Sequence, residues 1–403
     1  MYSDGTYDIP LRVLYARDLA NLWVAGRDIS ASHVAFGSTR VMATCAILGE
    51  AVGIAAAVAA WNGCRPQQVA TTHLTELRRA LVRADASVQG IGHDDPEDLA
   101  LQARVTASST STQLTVPPEP AAESLALDRS IGVVLPVDPA LEEIRLLVEA
   151  DEPTTVGARL HATSHPRNYL PGAEVAKASV DVSSTGPTWV ALPLVWRPAE
   201  PANAFLVLDS NPHLRLVRAA SPVPGVTTLV LRDLPAEPLD DPREWRAWKR
   251  LAHRDLPVLD AGPTTAWSPD RAVGGFARPW GGPQLWVSQP LDRDPQPTLT
   301  LDWDHTVTFS EVAVVLDDDV EEDLINLHHH TTPFDVVPEL VRDYRVEALL
   351  ADTWTTVAHV TGNRRRHVRH RLEVPVRADA VRLVVLATNG APCAHVSGLR
   401  VWR

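Results

Sequence analysis

The chain has 403 residues, 45% of them hydrophobic and 22% charged, with a formal net charge of −13 at pH 7. That length and composition suit two or three domains with packed cores, and the acidic balance argues against a nucleic-acid-binding face, which needs a basic surface. Cys45, Cys64 and Cys393 are widely spaced and form no C-x-x-C, so they are too few for a zinc ribbon or an iron–sulfur cluster and read as free thiols.

Residues 7–12 (YDIPLR) lead in as extended chain, since Pro10 forbids a helix interior there. No basic-then-apolar signal pattern precedes them, which makes the cytoplasm the default location. Leu22, Trp23, Val24 and Ala25 form an apolar run of buried-strand length, closed by Gly26. A polar loop from Arg27 leads to His33. Gly37-Ser38-Thr39-Arg40 is expected to open a long helix, with Ser38 or Thr39 as its cap. Free N–H groups, the helix dipole and Arg40 would together favour an anion or an electron-rich carbonyl there.

Residues 41–60 are apolar enough to resemble a membrane span. They contain Thr44, Glu50 and many small residues, which suits burial against a sheet better than lipid, so no membrane contact is expected. Gly49 and Gly53 share a face where another backbone can approach. Trp61-Asn62-Gly63 is a helix stop. Pro66 begins a further helix with Val69, Leu74, Leu77, Leu81 and Val82 on one face, and a polar loop at 90–96 marks a domain boundary.

From 98 to 235 the pattern changes to short β-branched runs at 103–109, 130–136, 143–149, 156–162, 188–195, 204–208, 214–219 and 227–231. Their spacing predicts an antiparallel sandwich, with Trp189 and Trp196 in its core rather than on its rim. Residues 236–260 read as a linker, with a short helix from Asp241 carrying Trp245, Trp248 and Leu251 on one face. Residues 261–403 form a second strand-rich unit.

Several side-chain clusters in that unit carry possible chemistry. Asp317-Asp318-Asp319 with Glu321, Glu322 and Asp323 offers oxygens without calcium-loop spacing and reads as a solvated turn. His328-His329-His330 would alternate across a strand, so no metal site is expected. The five arginines within 364–371 suit surface pairing, with the acidic run among the possible partners, or edge protection; contact with an acidic sugar is the alternative. Trp280, Trp286 and Trp303 fit either a sugar-stacking platform or the core.

The 21–53 stretch, NLWVAGRDISASHVAFGSTRVMATCAILGEAVG, resembles the C-terminal flavin-contacting segment of a family of FAD-dependent oxidoreductases. The family pattern is close to N-L-x-x-A-G-R-x-I-S-x-S-H-x-A-x-G-S-T-R-V-M-x-T-C-A-x-x-G-x-A-x-G, and the flanks at 7–12 and 74–81 fit as well. This resemblance implies FAD as cofactor. Gly26 and Arg27 would face the ribityl–phosphate side. Ser38, Thr39, Arg40, Val41 and Met42 would face the flavin ring, and His33 the substrate side. His33 as base and Arg40 as the cation near the flavin carbonyl edge are the candidate catalytic pair. The G-x-G-x-x-G turn that such enzymes use for the pyrophosphate does not occur in the 403 residues. The N-terminal dinucleotide-binding region is therefore expected to be missing.

Residues 261–403 resemble a galactose-binding-like, discoidin-type β-sandwich, through Arg278-Pro279, Trp286, Trp303, Tyr344, Trp354, Gly362-Asn363 and a last strand ending at Trp402. The expected architecture is an α+β multidomain chain: a flavin-contacting fragment at 1–90, then two antiparallel sandwiches. Its expected function is hydride transfer between flavin and a small-molecule or carbohydrate-related substrate, not performed by this chain alone. A non-catalytic carbohydrate- or surface-binding protein is the alternative. A split flavoenzyme with a separate N-terminal flavin-binding chain is another.

Overall fold

The computed structural model describes residues 7–120, 123–166, 169–233, 246–251, 255–320 and 334–403. They group into two compact units, one of residues 7–98 with 274–277 and one of residues 99–273 with 278–403.

The first unit is helical: α1 (His33–Thr39), α2 (Met42–Trp61), α3 (Pro66–Thr71) and α4 (Leu74–Arg83), with 3-10 turns at Leu11–Val13 and Gly26–Asp28. The strand expected at 22–25 reduces to one bridge between Tyr15 and Trp23, because no further strand lies beside it among the described residues of this unit. The helix expected to open at Gly37 is two helices. Ser32 caps α1, its Oγ accepting from the Ala35 amide at 3.3 Å, and the chain turns at Val41 (φ −64°, ψ 138°) before α2 begins. Ser38 and Thr39 therefore end α1 instead of capping a long helix. The helix expected from Pro66 is likewise broken, at Thr72–His73.

Ala55, Val58 and Ala59 of α2 pack with Val69, Leu77 and Leu81, and a smaller cluster joins Leu14, Ile29 and Leu48. Helix therefore packs on helix here, and the expected burial of α2 against a sheet does not occur within this unit. By length and composition α2 is apolar enough to cross a membrane, with a mean hydropathy of 1.8 over a window of which 22% is buried. Gly63 (φ +56°) ends it with the left-handed turn that glycine adopts without strain.

The second unit is antiparallel β-structure. Among its described residues, two sheets face each other across a core containing Val133, Leu135, Leu146, Val148, Leu160, Leu206 and Leu216. One sheet centres on Ile131–Val137, Ala202–Leu208 and Thr154–Thr163, the other on Ile144–Ala150, flanked by Leu214–Ala219, Leu259–Pro263 and Gly186–Leu192. Strict alternation along Ile144–Ala150 sends Ile144, Leu146, Val148 and Ala150 inward. The edge strand Pro171–Val182 escaped the sequence reading because alanine, glycine and charge dilute its β-branched residues.

The third sheet is built on two long strands, Thr298–Leu316 and His367–Thr388. Their ladder is interrupted between Asp302 and Val307 and between Phe309 and Glu311. Beyond the interruptions Glu311–Leu316 pairs with Cys393–Trp402, so one strand serves two layers around Trp286, Leu301, Phe309, Tyr344 and Leu383. Cys393–Trp402 also pairs with Trp286–Pro290.

Two expectations are corrected. The run at 103–109 does not open the first sandwich. Its strand, Arg104–Ala107, pairs with Leu299–Asp302 of the third sheet. Within 236–260, the start of the expected helix and Trp245 lie outside the described residues. Arg246–Arg250 is a strand on the open edge of Thr227–Asp233, with Trp248 against Phe205, and Leu259–Pro263 joins a sheet. A sheet edge needing a partner has overridden the helical spacing.

Gly132 lies under this aromatic pair: a Cβ there would come within 2.5 Å of the Phe205 ring and 3.1 Å of Trp248. Gly132→Ala is expected to lower stability by about 1–3 kcal/mol, measured as a lower urea midpoint with an unchanged slope.

Candidate functional site

The residues singled out in the helical unit surround the junction between α1 and α2. Gly26 adopts φ +67°, and a Cβ added to it would lie 3.9 Å from Cys45 Cβ. The Gly26–Asp28 turn thus abuts the first turns of α2, with Arg27 exposed beside it. Arg40 donates its amide to Phe36 O at 3.2 Å and Val41 to Ser38 O at 3.5 Å. The amides expected to be open at 38–40 therefore belong to the end of α1. The open helix start is α2, where the Cys45 amide makes the first intrahelical bond, to Val41 O at 2.9 Å. Met42, Ala43 and Thr44 are left without intrahelical acceptors at the positive end of the dipole.

Arg40, Val41 and Met42 are exposed at this junction. Thr39 is buried, and its Oγ1 has no hydrogen-bond partner among the described residues. Ser38 Oγ lies 2.5 Å from the Tyr7 hydroxyl. His33 is exposed and opens α1 while Arg40 closes it. Helix rise sets the two about 10 Å apart. The structure therefore brings the Gly26 turn against the start of α2, and sets His33 the length of α1 away from Arg40.

The β unit distributes its aromatic and charged residues differently from the sequence reading. Trp286 and Trp303 are core residues, their indole N–H groups donating to Ser109 O at 3.0 Å and Leu99 O at 2.9 Å, so neither forms a sugar platform. Trp196 packs against the first sandwich core as expected, but Trp189 is 39% exposed and lies outside it. Arg366 pairs with Asp318 at 2.9 Å, while Arg369 and Arg371 flank the buried Glu311. Glu321, Glu322, Asp323 and His328-His329-His330 lie outside the described residues. All three cysteines are free, and burial, with Asp292 nearby, pushes the Cys393 thiol up to about 11.

One site-like cluster corrects the solvated-turn reading of the acidic run, since Asp317 and Asp319 are buried. A small cleft is lined by Asp317, Asp319, Glu339 and His395, with Pro224 and Pro283 in its apolar wall. Burial alone would raise the Asp317 carboxyl. Donation from His395 Nδ1 at 2.9 Å, the His395 charge, the Asp319 amide and Arg366 outweigh it and hold that carboxyl below its usual range. The residues stand 78 positions apart, so no local pattern announces the pair.

Residues 1–81 match the family model described as FAD dependent oxidoreductase. No curated protein matches the chain. Among solved structures, it is similar to the family 32 carbohydrate-binding module of Streptococcus pneumoniae EndoD, at 17% identity and TM-score 0.24 over 30% of this chain and 76% of that one. The family 32 module of C. perfringens NanJ, in complex with galactose, matches at 13% identity and TM-score 0.22 over 30% and 76%. Chitosan-binding module 1 from Paenibacillus sp. IK-5 matches at 14% and 0.25 over 34% and 87%. Scores this low do not carry the ligands of those proteins over to this chain.

Because the folded Asp317 is more acidic than an unfolded aspartate, its contribution is full above about pH 4 and is lost as pH falls through the depressed folded value. Asp317→Asn is expected to cost about 3 kcal/mol at pH 7 and to flatten the loss of stability on acidification. Urea midpoints of both proteins between neutral and acid pH check this.

Proposed function

We propose that residues 7–98 are the flavin-contacting end of an FAD-dependent oxidoreductase that transfers a hydride between flavin and a small-molecule or carbohydrate-related substrate. The observation that carries this reading is the α1–α2 junction. Supporting it are the first amides of α2, which lack intrahelical acceptors, the exposed Arg40 just before them, the orphaned Thr39 hydroxyl, and Gly26 against Cys45 in the first turn of α2. These groups suit the electron-rich carbonyl edge of an isoalloxazine, with Gly26 and Arg27 toward the ribityl–phosphate side. When bound, the flavin supplies the hydride acceptor. The protein's part is to stabilise negative charge with Arg40 and the α2 amides. His33, at the far end of α1, serves as the proton acceptor on the substrate side.

The chain does not complete this site by itself. It offers no G-x-G-x-x-G for the pyrophosphate. Apolar side chains also stand uncovered: Val34 and Met42 are 87% exposed, Ile47 61% and Trp61 90%. Among the described residues, nothing outside the local helix lies within 4 Å of a Cβ placed on Gly37, Gly49 or Gly53. A dinucleotide-binding region outside these 403 residues accounts for both features, and it covers this surface with protein instead of lipid.

The test adds FAD, removes the excess by desalting, and records absorbance and flavin fluorescence. The chain alone is expected to retain no flavin. Mixed with a G-x-G-x-x-G-bearing fragment of an FAD-dependent oxidoreductase from the matching family, it is expected to retain flavin with quenched emission. Arg40→Ala should weaken that retention about tenfold, the loss of roughly one charge-assisted hydrogen bond. A mixture that retains nothing, or retention indifferent to Arg40→Ala, contradicts the proposal.

A further inference from the structure

An indole on a sheet surface needs a reason, and Trp189 is such a residue. Along Gly186–Leu192 the side chains alternate, with Val190 and Leu192 buried in the first sandwich and Trp189 turned outward. In register, Trp189 faces Leu147 and Ala191 faces Arg145, which sets Arg145 diagonal to the indole. The Arg145 guanidinium sits 5.3 Å from the ring centroid, near the outer limit of a cation–π contact. One strand further, Asp260 pairs in register with Arg145, its Oδ2 3.9 Å from the guanidinium. That separation exceeds a hydrogen bond, and both side chains are reached by solvent. Asp260 is nonetheless fixed: its Oδ1 accepts from the Gly262 amide at 3.0 Å and from Thr115 Oγ1 at 3.4 Å.

Three strands thus present an apolar ring, a cation and an anchored carboxylate on one face. The two charges offset each other, so an ionic ligand gains little. A purely apolar partner would have to desolvate both charges. A neutral polyhydroxylated ring satisfies all three groups: its C–H face covers the indole, one hydroxyl donates to Asp260 and a neighbouring hydroxyl accepts from Arg145. Trp354 provides the contrast. Arg382 covers its ring at 4.1 Å and is held by Glu347 at 2.7–2.8 Å, so its polar neighbours are already committed to each other.

We propose that the outer sheet face around Trp189, Arg145 and Asp260 binds a neutral glycan, with one sugar ring stacked on Trp189. None of these residues belongs to the helical unit.

The experiment is affinity electrophoresis of the full chain through gels containing xylan, galactomannan or arabinogalactan, with polygalacturonate as an acidic comparison. Retardation is expected in at least one neutral gel. Trp189→Ala and Asp260→Asn should each weaken it about tenfold or more. Trp189→Phe should keep part of it, and Trp354→Ala should leave it unchanged. Thermal melting separates loss of binding from loss of fold. If Trp189→Ala unfolds, Asp260→Asn and Arg145→Gln decide. Equal migration of the wild-type chain in every gel, retardation by polygalacturonate alone, or retardation indifferent to these substitutions overturns the proposal.

Discussion

Burial of apolar surface holds this chain together, and it is distributed unevenly. In the β unit the pairing of Thr298–Leu316 with His367–Thr388 turns two ribbons into the frame of a closed core, with Leu299, Leu301, Phe309, Val381 and Leu383 essentially inaccessible to solvent. In the helical unit, twenty residues of α2 bury only Leu48, Ala55, Val58 and Ala59. Fixing each backbone residue costs about 1–2 kcal/mol, and it is mainly apolar burial that offsets this cost. The sheets meet that requirement with their own side chains. The long helix meets it in part, with Met42, Ile47 and Trp61 left exposed.

Electrostatics follow the same division. Buried carboxylates of the β unit have partners: Glu311 pairs with Arg369 and Arg371 of the neighbouring strand, Glu347 with Arg345 of its own strand and Arg382 of the next, and Asp317 with the His395 ring. Such pairs are costly to break because the remaining charge stays buried. At the α1–α2 junction the arrangement is open. Helix amides and a guanidinium face outward, and the Thr39 hydroxyl is enclosed without a partner among the described residues.

Much of this was legible in the residues. Ile144–Ala150 announces itself by period-two burial, and Leu214–Ala219 by a short apolar run closed by turn residues. The flavin-family pattern at 21–53 is long enough to be recognised without a fold, and the 1–81 match covers the same ground. What escaped depends on contacts distant in sequence. The break at Val41 has neither proline nor glycine at it to mark it, so the open amides moved from 38–40 to 42–44. Trp189 and Trp196 look alike in sequence, but alternation along Gly186–Leu192 turns Trp189 outward, while a bridge to Leu141 holds Trp196 against the core. Arg104–Ala107 and Arg246–Arg250 were placed by which sheet edge lacked a partner, a property no local window contains.

Hydrogen–deuterium exchange of the full chain, alone and with a G-x-G-x-x-G-bearing fragment and FAD, tests the central claim most directly. An incomplete flavin domain predicts fast exchange across α2 in the free chain, slow exchange in Thr298–Leu316 and His367–Thr388, and strong protection of α2 alone when fragment and flavin are added. An α2 already as protected as the long strands in the free chain, or one unchanged by the addition, would contradict it.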